Sequence, residues 1–179
     1  MVKIDVGRYF LDVDSSLANS KKQVNRVVAF GQQAVYGDLA KFGDADNAWG
    51  LVEFANGKIL QTHLSRTITN GFEACTRVCG TKGHSVINGN STLNRVEIRD
   101  VYGVRTASTP DAFALYDKTF VNDIAEFVCA VLDDLPLSCS PQDAFEAGKI
   151  ACALQHSFRI QEPVLFDDNG YPIMNSGAL

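Results

Sequence analysis

Residues 48–68 of the chain read AWGLVEFANGKILQTHLSRTI, which is the pattern of a β-hairpin. Ala48–Phe54 is rich in strand-forming side chains, and Ile59–Ile68 alternates between the two faces of a strand. Asn56 and Gly57 lie between the two segments, and this dipeptide favours a tight hairpin turn because both residues tolerate a positive φ. The sequence therefore predicts two antiparallel strands joined by a short turn.

Further short strands flank this hairpin on both sides. One is predicted before it, at Val24–Phe30, and three after it, at Glu73–Cys79, His84–Ile87 and Arg95–Val101. No helical pattern separates these strands, and such short spacing is typical of an antiparallel sheet. We therefore expect the hairpin to be part of a meander, with Ile59–Ile68 as a central strand.

Two helices are predicted towards the C-terminal end of the sequence. Apolar residues recur at helical spacing in Lys118–Leu132 and again in Ala144–Phe158. Ser140 is a suitable N-cap for the second helix, and Pro141 suits its first position. Strands followed by helices predict an α+β fold, a largely antiparallel open-faced sheet with the helices packed on one face. Without internal repeats or a linker, we expect residues 1–179 to form a single domain.

The second face of this sheet has no predicted cover. Large apolar side chains occur on both faces of the strands, and an exposed apolar face of this size favours association with a partner. We expect a homodimer through this open face, because twofold assembly is the commonest closed arrangement of identical chains.

The composition excludes several classes of protein. A net charge of −5 over 179 residues argues against a nucleic-acid-binding protein. No apolar run approaches the roughly 18 residues of a membrane-spanning helix, and residues 1–10 lack the apolar stretch of a signal peptide. The five cysteines form no C-x-x-C pair and have no metal-site spacing with histidine. We expect a cytoplasmic protein without a metal ion, whose cysteines are free packing residues, with a reactive thiol as the alternative.

Polar side chains of the hairpin mark a candidate ligand site. His63 shares a strand face with Gln61, Ser65 and Thr67, which together are polar enough to line a cavity. His63 and Ser65 are about 7 Å apart on such a face, which is too far for direct activation of the serine. Arg66 lies on the opposite face, where it pairs either with an internal carboxylate or with an anionic substrate.

The other two histidines occupy different positions in the predicted elements. His84 follows the turn Gly80–Gly83 and is expected to be exposed at the start of a strand. His156 lies late in the second helix, where the helix dipole favours a positive charge, and we expect it to have a structural role.

The chain resembles one part of a known enzyme family. A D-N-A triplet, the EF-x-NGK-I hairpin, the SRT strand, Gly71-Phe72 and a G-T-K-G turn occur in the same order in the C-terminal domain of the Gfo/Idh/MocA oxidoreductases. That family includes glucose–fructose oxidoreductase and inositol 2-dehydrogenase. The segments F-x-x-D-I-x-x-F-V, P-x-D-A-x-x-A and FDDNGYP resemble its closing elements. The resemblance covers about residues 9–173.

The resemblance implies a catalytic plan from which this sequence departs. Family members have an N-terminal Rossmann domain that binds NAD(P) and supplies a lysine, and a C-terminal domain that supplies a D-x-x-x-H pair, the substrate pocket and the oligomer interface. This sequence contains no glycine loop or matching lysine. Asp12 or Asp14 stands at the position of the family aspartate, and Ser16 stands where the histidine would follow Asp12. Under either alignment the catalytic histidine is absent.

These departures argue against a self-sufficient NAD(P)-dependent dehydrogenase, because hydride transfer needs a bound nicotinamide and a base. We expect instead a cofactor-independent enzyme of the cyclase, isomerase or dehydratase type, acting on a small molecule. The alternatives are a non-catalytic ligand-binding or oligomerisation module, and the substrate-domain component of a split NAD(P)-dependent oxidoreductase. Candidate catalytic residues are Asp12, Asp14 and His63, and candidate substrate-binding residues are Tyr9, Trp49, Ser65, Arg66 and Phe72.

Overall fold

The computed structural model describes residues 23–69, 71–89, 92–137 and 139–174. In these ranges the strands are β1 (Val24–Gln32), β2 (Asn47–Phe54), β3 (Ile59–Ser65), β4 (Thr76–Gly80), β5 (Gly83–Ile87), β6 (Thr92–Asp100), β7 (Gly103–Ser108) and β8 (Val164–Leu165). The helices are α1 (Ala112–Leu132) and α2 (Pro141–Ile160), with a short 3-10 helix at Gly37–Phe42. The described residues divide into two units, one formed by 23–67 with 139–174 and the other lying within 68–137.

The first unit contains a four-stranded antiparallel sheet in the order β3-β2-β1-β8. The predicted hairpin is confirmed as β2 and β3. Its turn is closed by a hydrogen bond from the Gly57 amide to the Phe54 carbonyl (2.9 Å), with Gly57 at a φ of 78° that glycine adopts without a Cβ clash. The expectation that Ile59–Ile68 is a central strand is wrong, since β3 lies at the edge of the sheet and ends at Ser65.

Helix α2 packs on one face of this sheet and closes the core of the first unit. Ser140 caps the helix as predicted, and it forms a reciprocal capping box with Asp143. Ser157 is fully buried, and its hydroxyl accepts a hydrogen bond from the Ala29 amide (3.1 Å) and donates one to the Glu162 carbonyl (2.6 Å). The buried apolar residues of this core are Val24, Val27, Ala29, Val52, Leu60, Ala153, Leu154 and Val164.

The second unit contains two β-hairpins, β4-β5 and β6-β7, and helix α1. The described strands thus form three antiparallel sheets, where the sequence suggested one meander. Helix α1 begins at Ala112, where the Asp111 carboxylate accepts a hydrogen bond from the Ala114 amide (2.8 Å). Its backbone is non-helical at Tyr116, and the predicted helix Lys118–Leu132 follows directly after this kink. The α+β fold class, with antiparallel strands and two long helices, is confirmed.

The cysteines differ from the expectation that they pack in the interior. All five are free thiols and all five are exposed: Cys75, Cys79, Cys129, Cys139 and Cys152. The core of the first unit is filled instead by valine, leucine and alanine side chains. In the ranges that the structure describes, no helix is long and apolar enough to cross a membrane.

Candidate functional site

Among the described residues of the first unit, none covers the face of the four-stranded sheet that lies opposite α2, which we call the open face. Directly paired residues form rows of side chains across β1, β2 and β3 on this face. The successive rows are Gln32–Asn47–Ser65, Phe30–Trp49–His63, Val28–Leu51–Gln61 and Arg26–Glu53–Ile59. One end of the open face is therefore polar, the middle is aromatic and apolar, and the other end carries an ion pair between Arg26 and Glu53.

Trp49 and His63 form a stacked pair in the aromatic row. Their ring centroids are 4.6 Å apart and the two planes differ by 14°. Trp49 remains 40% exposed and Phe30, on its other side, is 63% exposed. His63 and Ser65 share this open face, as the alternation of β3 predicts. The pair offers a flat aromatic surface directly beside hydrogen-bonding groups.

Asn47, Ser65 and Thr67 form a hydrogen-bonded cluster at the polar end of the sheet. The Ser65 hydroxyl donates to Asn47 Oδ1 (2.7 Å), and the Thr67 hydroxyl donates to the same oxygen (3.2 Å). The Thr67 amide also donates to Ser65 Oγ (3.1 Å). Ser65 is thus held in place by Asn47 of β2 and by the Thr67 amide just beyond the end of β3. These contacts are consistent with the prediction that Ser65 and His63 do not form a nucleophile pair.

Asp46 is the central buried group of this end of the sheet, and it is not among the site residues predicted from the sequence. It is 1% exposed, and its Oδ2 accepts hydrogen bonds from the Val35 amide (2.6 Å) and the Tyr36 amide (3.0 Å). Asn47 Nδ2 donates to its Oδ1 (2.8 Å). The backbone amides of Tyr36 and Val35 hold the pKa of this carboxyl well below its usual range. The D-N-A triplet contains Asp46, and it is the only sequence signal for this role.

Arg66 pairs with an internal carboxylate, which is one of the two alternatives drawn from the sequence. Its guanidinium lies 3.0 Å from Asp44 Oδ2, and the two side chains are 34% and 36% exposed. Its backbone amide donates to the Asp46 carbonyl (2.8 Å) just beyond the end of β3. A contact of Arg66 with an anionic substrate stays a prediction.

The site residues predicted from the sequence do not all lie in the same part of the structure. Trp49, His63 and Ser65 come together on the open face. Phe72 belongs to the second unit, where its amide donates to the Thr109 carbonyl (2.7 Å) and its ring and that of Tyr116 form a T-shaped pair with centroids 6.1 Å apart. The remaining candidates, Tyr9, Asp12 and Asp14, lie outside the described residues.

The described helix N-termini do not fit the pyrophosphate of a nicotinamide dinucleotide. Such a group binds to free amides where a glycine loop meets a helix. In α1 the Asp111 carboxylate occupies this position, and in α2 it is taken by Ser140 and Asp143. Among the described residues there is also no group of three histidine, cysteine or acidic side chains that could hold a metal ion.

Comparison with known proteins relates the chain to one enzyme family. Residues 1–166 match the model of the Gfo/Idh/MocA oxidoreductase family, C-terminal alpha/beta domain. Among curated proteins, the uncharacterized oxidoreductase YrbE of Bacillus subtilis (strain 168) is 30% identical over 155 residues, which span 86% of this chain and 45% of the relative.

Solved structures with the same fold include two inositol dehydrogenases. The scyllo-inositol dehydrogenase from Lactobacillus casei, solved with NAD(H) and scyllo-inositol, has a TM-score of 0.75 at 22% identity, covering 80% of this chain and 42% of its own. The myo-inositol 2-dehydrogenase from Lactobacillus plantarum has a TM-score of 0.76 at 23% identity, covering 81% and 43%. The chain therefore spans less than half the length of these relatives.

Proposed function

Because this chain belongs to the Gfo/Idh/MocA oxidoreductase family, as its C-terminal alpha/beta domain, we propose that it acts as the substrate-side domain of an oxidoreductase. The observation that carries this proposal is the family match over residues 1–166, almost the full length of the chain. The relatives are about twice as long as the matched region. The N-terminal amides of α1 and α2 are already bonded to Asp111 and to the Ser140–Asp143 capping box. A nicotinamide dinucleotide would therefore be held by residues other than these.

The open-face cluster, defined as Asn47, Trp49, His63 and Ser65, supports a small hydroxylated ring as the substrate class. Stacked Trp49 and His63 present an apolar surface, and the adjacent row presents amide and hydroxyl groups. A few polar groups beside an aromatic surface are the usual make-up of a small-molecule site. One relative of the same fold was solved with scyllo-inositol, a cyclic polyol.

The cofactor-independent cyclase, isomerase or dehydratase expected from the sequence is a second hypothesis. General acid–base catalysis requires a proton donor or acceptor within reach of the substrate. On the open face, His63 stacks on Trp49, and the carboxylate of Glu53 is engaged with Arg26 two rows away. This hypothesis thus depends on Asp12 or Asp14, outside the described residues. A purely ligand-binding or oligomerisation module is the corresponding non-catalytic hypothesis.

Calorimetric titration of the full chain with NAD⁺ and with a panel of cyclic polyols tests the proposal. We expect saturable binding of at least one polyol and no binding of NAD⁺ by this chain alone. Trp49→Ala should weaken polyol binding by about threefold to tenfold, since losing roughly 25–55 Å² of apolar contact costs about 0.7–1.4 kcal/mol. Tyr102→Ala removes an exposed aromatic ring of the second unit and serves as the matched control.

Three results would contradict the proposal. They are tight binding of NAD⁺ by the chain alone, absence of binding across the whole polyol panel, and equal binding by the wild-type and Trp49→Ala proteins. Turnover of a substrate in the absence of any nicotinamide would favour the cofactor-independent hypothesis instead.

A further inference from the structure

Asp46 fixes the orientation of the Asn47 side-chain amide. An ionised carboxylate carries no hydrogen, so it can only accept hydrogen bonds. Asp46 is ionised at neutral pH, because the backbone amides of Tyr36 and Val35 hold the pKa of its carboxyl well below the usual range. The Asn47 atom that lies 2.8 Å from Asp46 Oδ1 is therefore the amide nitrogen, which donates. The Asn47 oxygen consequently points the other way.

The orientation of Asn47 decides the direction of the hydrogen bonds within the polar cluster, defined as Asn47, Ser65 and Thr67. Asn47 Oδ1 can only accept, so the hydroxyl groups of Ser65 and Thr67 donate to it, at 2.7 and 3.2 Å. The two hydroxyl oxygens are also 3.1 Å apart, and a bond between them would equally use a proton inside the cluster. With both protons in use, the two hydroxyl groups can offer a ligand only oxygen lone pairs.

The polar cluster adjoins the aromatic row of the open face. Asn47 and Ser65 are directly paired in the row next to that of Trp49 and His63, and Asn47, Ser65 and Thr67 are all half-buried. A ring bound on the aromatic row would therefore meet hydrogen-bond acceptors at this end of the sheet. Such acceptors bind the hydroxyl hydrogens of a neutral polyol, whereas a carboxylate has no hydrogen to donate and its oxygens are repelled.

We propose that Asp46 is a positioning residue that makes the polar cluster select neutral cyclic polyols against their carboxylate derivatives. Asp46 is 1% exposed and acts through Asn47, without touching the ligand itself. This inference rests on the proposed function, because it names the chemistry of the ring that binds at the open face. The hold of Asp46 on the backbone of Val35 and Tyr36 does not depend on the orientation of Asn47, so the two roles are measured separately.

Asp46→Asn reverses the polarity of the cluster while it conserves the shape of the side chain at position 46. The single oxygen of the new amide stays with the two backbone amides, so its NH₂ group faces Asn47. Two NH₂ groups cannot bond to each other, and the Asn47 amide therefore rotates by about 180° and donates to Ser65 and Thr67. Their oxygens then accept, and their hydroxyl hydrogens become available to a carboxylate.

Calorimetric titration of the full chain with glucose, scyllo-inositol and glucuronate tests the selection, since glucuronate is glucose with a carboxylate in place of its terminal CH₂OH group. The wild-type protein should bind the neutral rings more tightly. The ratio of glucuronate affinity to glucose affinity should rise by about fivefold or more in Asp46→Asn, which is the lower range of the effect of one unpaired polar group. Asp168→Asn removes the same charge at an exposed position and should leave the ratio unchanged.

Asn47→Leu separates hydrogen-bond direction from charge. It releases at least one hydroxyl hydrogen of Ser65 and Thr67 while Asp46 keeps its negative charge, so the affinity ratio should rise in this variant as well. A simple repulsion between Asp46 and glucuronate predicts no rise. Asn47→Leu also leaves the bonds of Asp46 to Val35 and Tyr36 in place, and it remains informative if Asp46→Asn does not fold.

The orientation of Asn47 is measured without any ligand by nuclear Overhauser effects from its side-chain NH₂ protons. Those to the Thr67 methyl group should be weak in the wild-type protein and strong in Asp46→Asn. Strong effects in the wild-type protein, or an unchanged affinity ratio in both Asp46→Asn and Asn47→Leu, would overturn the proposal. Expected Overhauser effects without binding of any of the three rings would contradict the proposed function alone.

Discussion

Asp46 shows how much one buried carboxylate contributes to the local structure. Its two oxygens fix the backbone at Val35 and Tyr36 and the side chain of Asn47. Asn47 Oδ1 in turn accepts hydrogen bonds from the hydroxyl groups of Ser65 and Thr67. The connection between β1 and β2 and the end of β3 are therefore joined through a single charged group, which costs free energy to bury unless it is fully hydrogen-bonded.

Asp46→Asn should lower the melting temperature at pH 7, because charge-assisted hydrogen bonds to two amides are replaced by weaker ones. The pKa of Asp46 is depressed in the folded state, so its stabilising effect is present above the unfolded pKa of about 3.9 and is lost as the pH falls through that value towards the lower folded pKa. The difference between the two proteins should thus shrink between about pH 5 and pH 2. Thermal melts across this range measure it.

Asp168→Asn is the control for this experiment, since Asp168 is exposed. Its melting temperature at pH 7 should equal that of the wild-type protein. A constant difference between the wild-type and Asp46→Asn proteins from pH 7 to pH 2 would contradict the assigned role of the Asp46 charge.

At the scale of single residues, the sequence predicts which face of a strand a side chain occupies better than it predicts which residue that side chain contacts. The alternation of Ile59–Ile68 placed His63 and Ser65 together correctly, because strand period is a local property. The sequence does not identify the partner of Arg66, because Asp44 comes from a connection whose path depends on Asp46 and on the contacts of Phe42 and Gly43 with Arg159. Such returning loops leave no periodic signal.

The packing of β2 against α2 depends on a missing side chain. Gly50 faces the helix, and a Cβ built there would lie 2.7 Å from Thr62 Oγ1 and 3.0 Å from Leu154 Cδ2. Leu154 is itself 5% exposed within the core. An alanine at this position would therefore force the side chains of Thr62 in β3 and Leu154 in α2 to shift.

Gly50→Ala should destabilise the protein by about 1–3 kcal/mol, the usual cost of inserting a methyl group into a packed interior. Gly148→Ala is the matched change in α2, where a Cβ would meet nothing within 4 Å. It should stabilise the protein by up to about 1 kcal/mol, because alanine favours a helix more than glycine. Urea unfolding of the three proteins measures both effects, and a Gly50→Ala protein as stable as wild type would refute the close approach.

At the scale of elements, periodicity predicts the longer ones and misses those that depend on distant partners. The hairpin, the capped start of α2 and the turn before β5 have local signals, and all are found. β8 has only two residues and pairs with β1 from the far end of the chain, so nothing local marks it. The predicted helix Lys118–Leu132 matches the part of α1 that follows the kink at Tyr116, whereas the first turn depends on the N-cap Asp111, which precedes the apolar repeat.

At the scale of the whole molecule, the open sheet face is the surface at which we expect the chain to associate with a second copy. Its middle rows expose Phe30, Trp49 and Leu51, with exposed fractions of 63%, 40% and 43%. β1 is nine residues long, and strands lie about 4.8 Å apart, so the face covers roughly 500 Å². This is of the same order as the roughly 800 Å² that each partner contributes to a standard interface. A second copy of the chain is the occupant that the sequence predicts for this face, and it is the alternative to a polyol at the row of Trp49 and His63.

Leu51→Lys should convert such a dimer to a monomer, because it places a charge in the centre of the apolar rows, where burial without a partner costs several kcal/mol. Phe42→Lys makes the same kind of change at a 70% exposed side chain on the 3-10 helix, and it should leave the dimer intact. Sedimentation velocity at micromolar concentration distinguishes the two outcomes. A monomeric wild-type protein, or a Leu51→Lys protein that sediments as a dimer, would show that the open face is not the site of self-association.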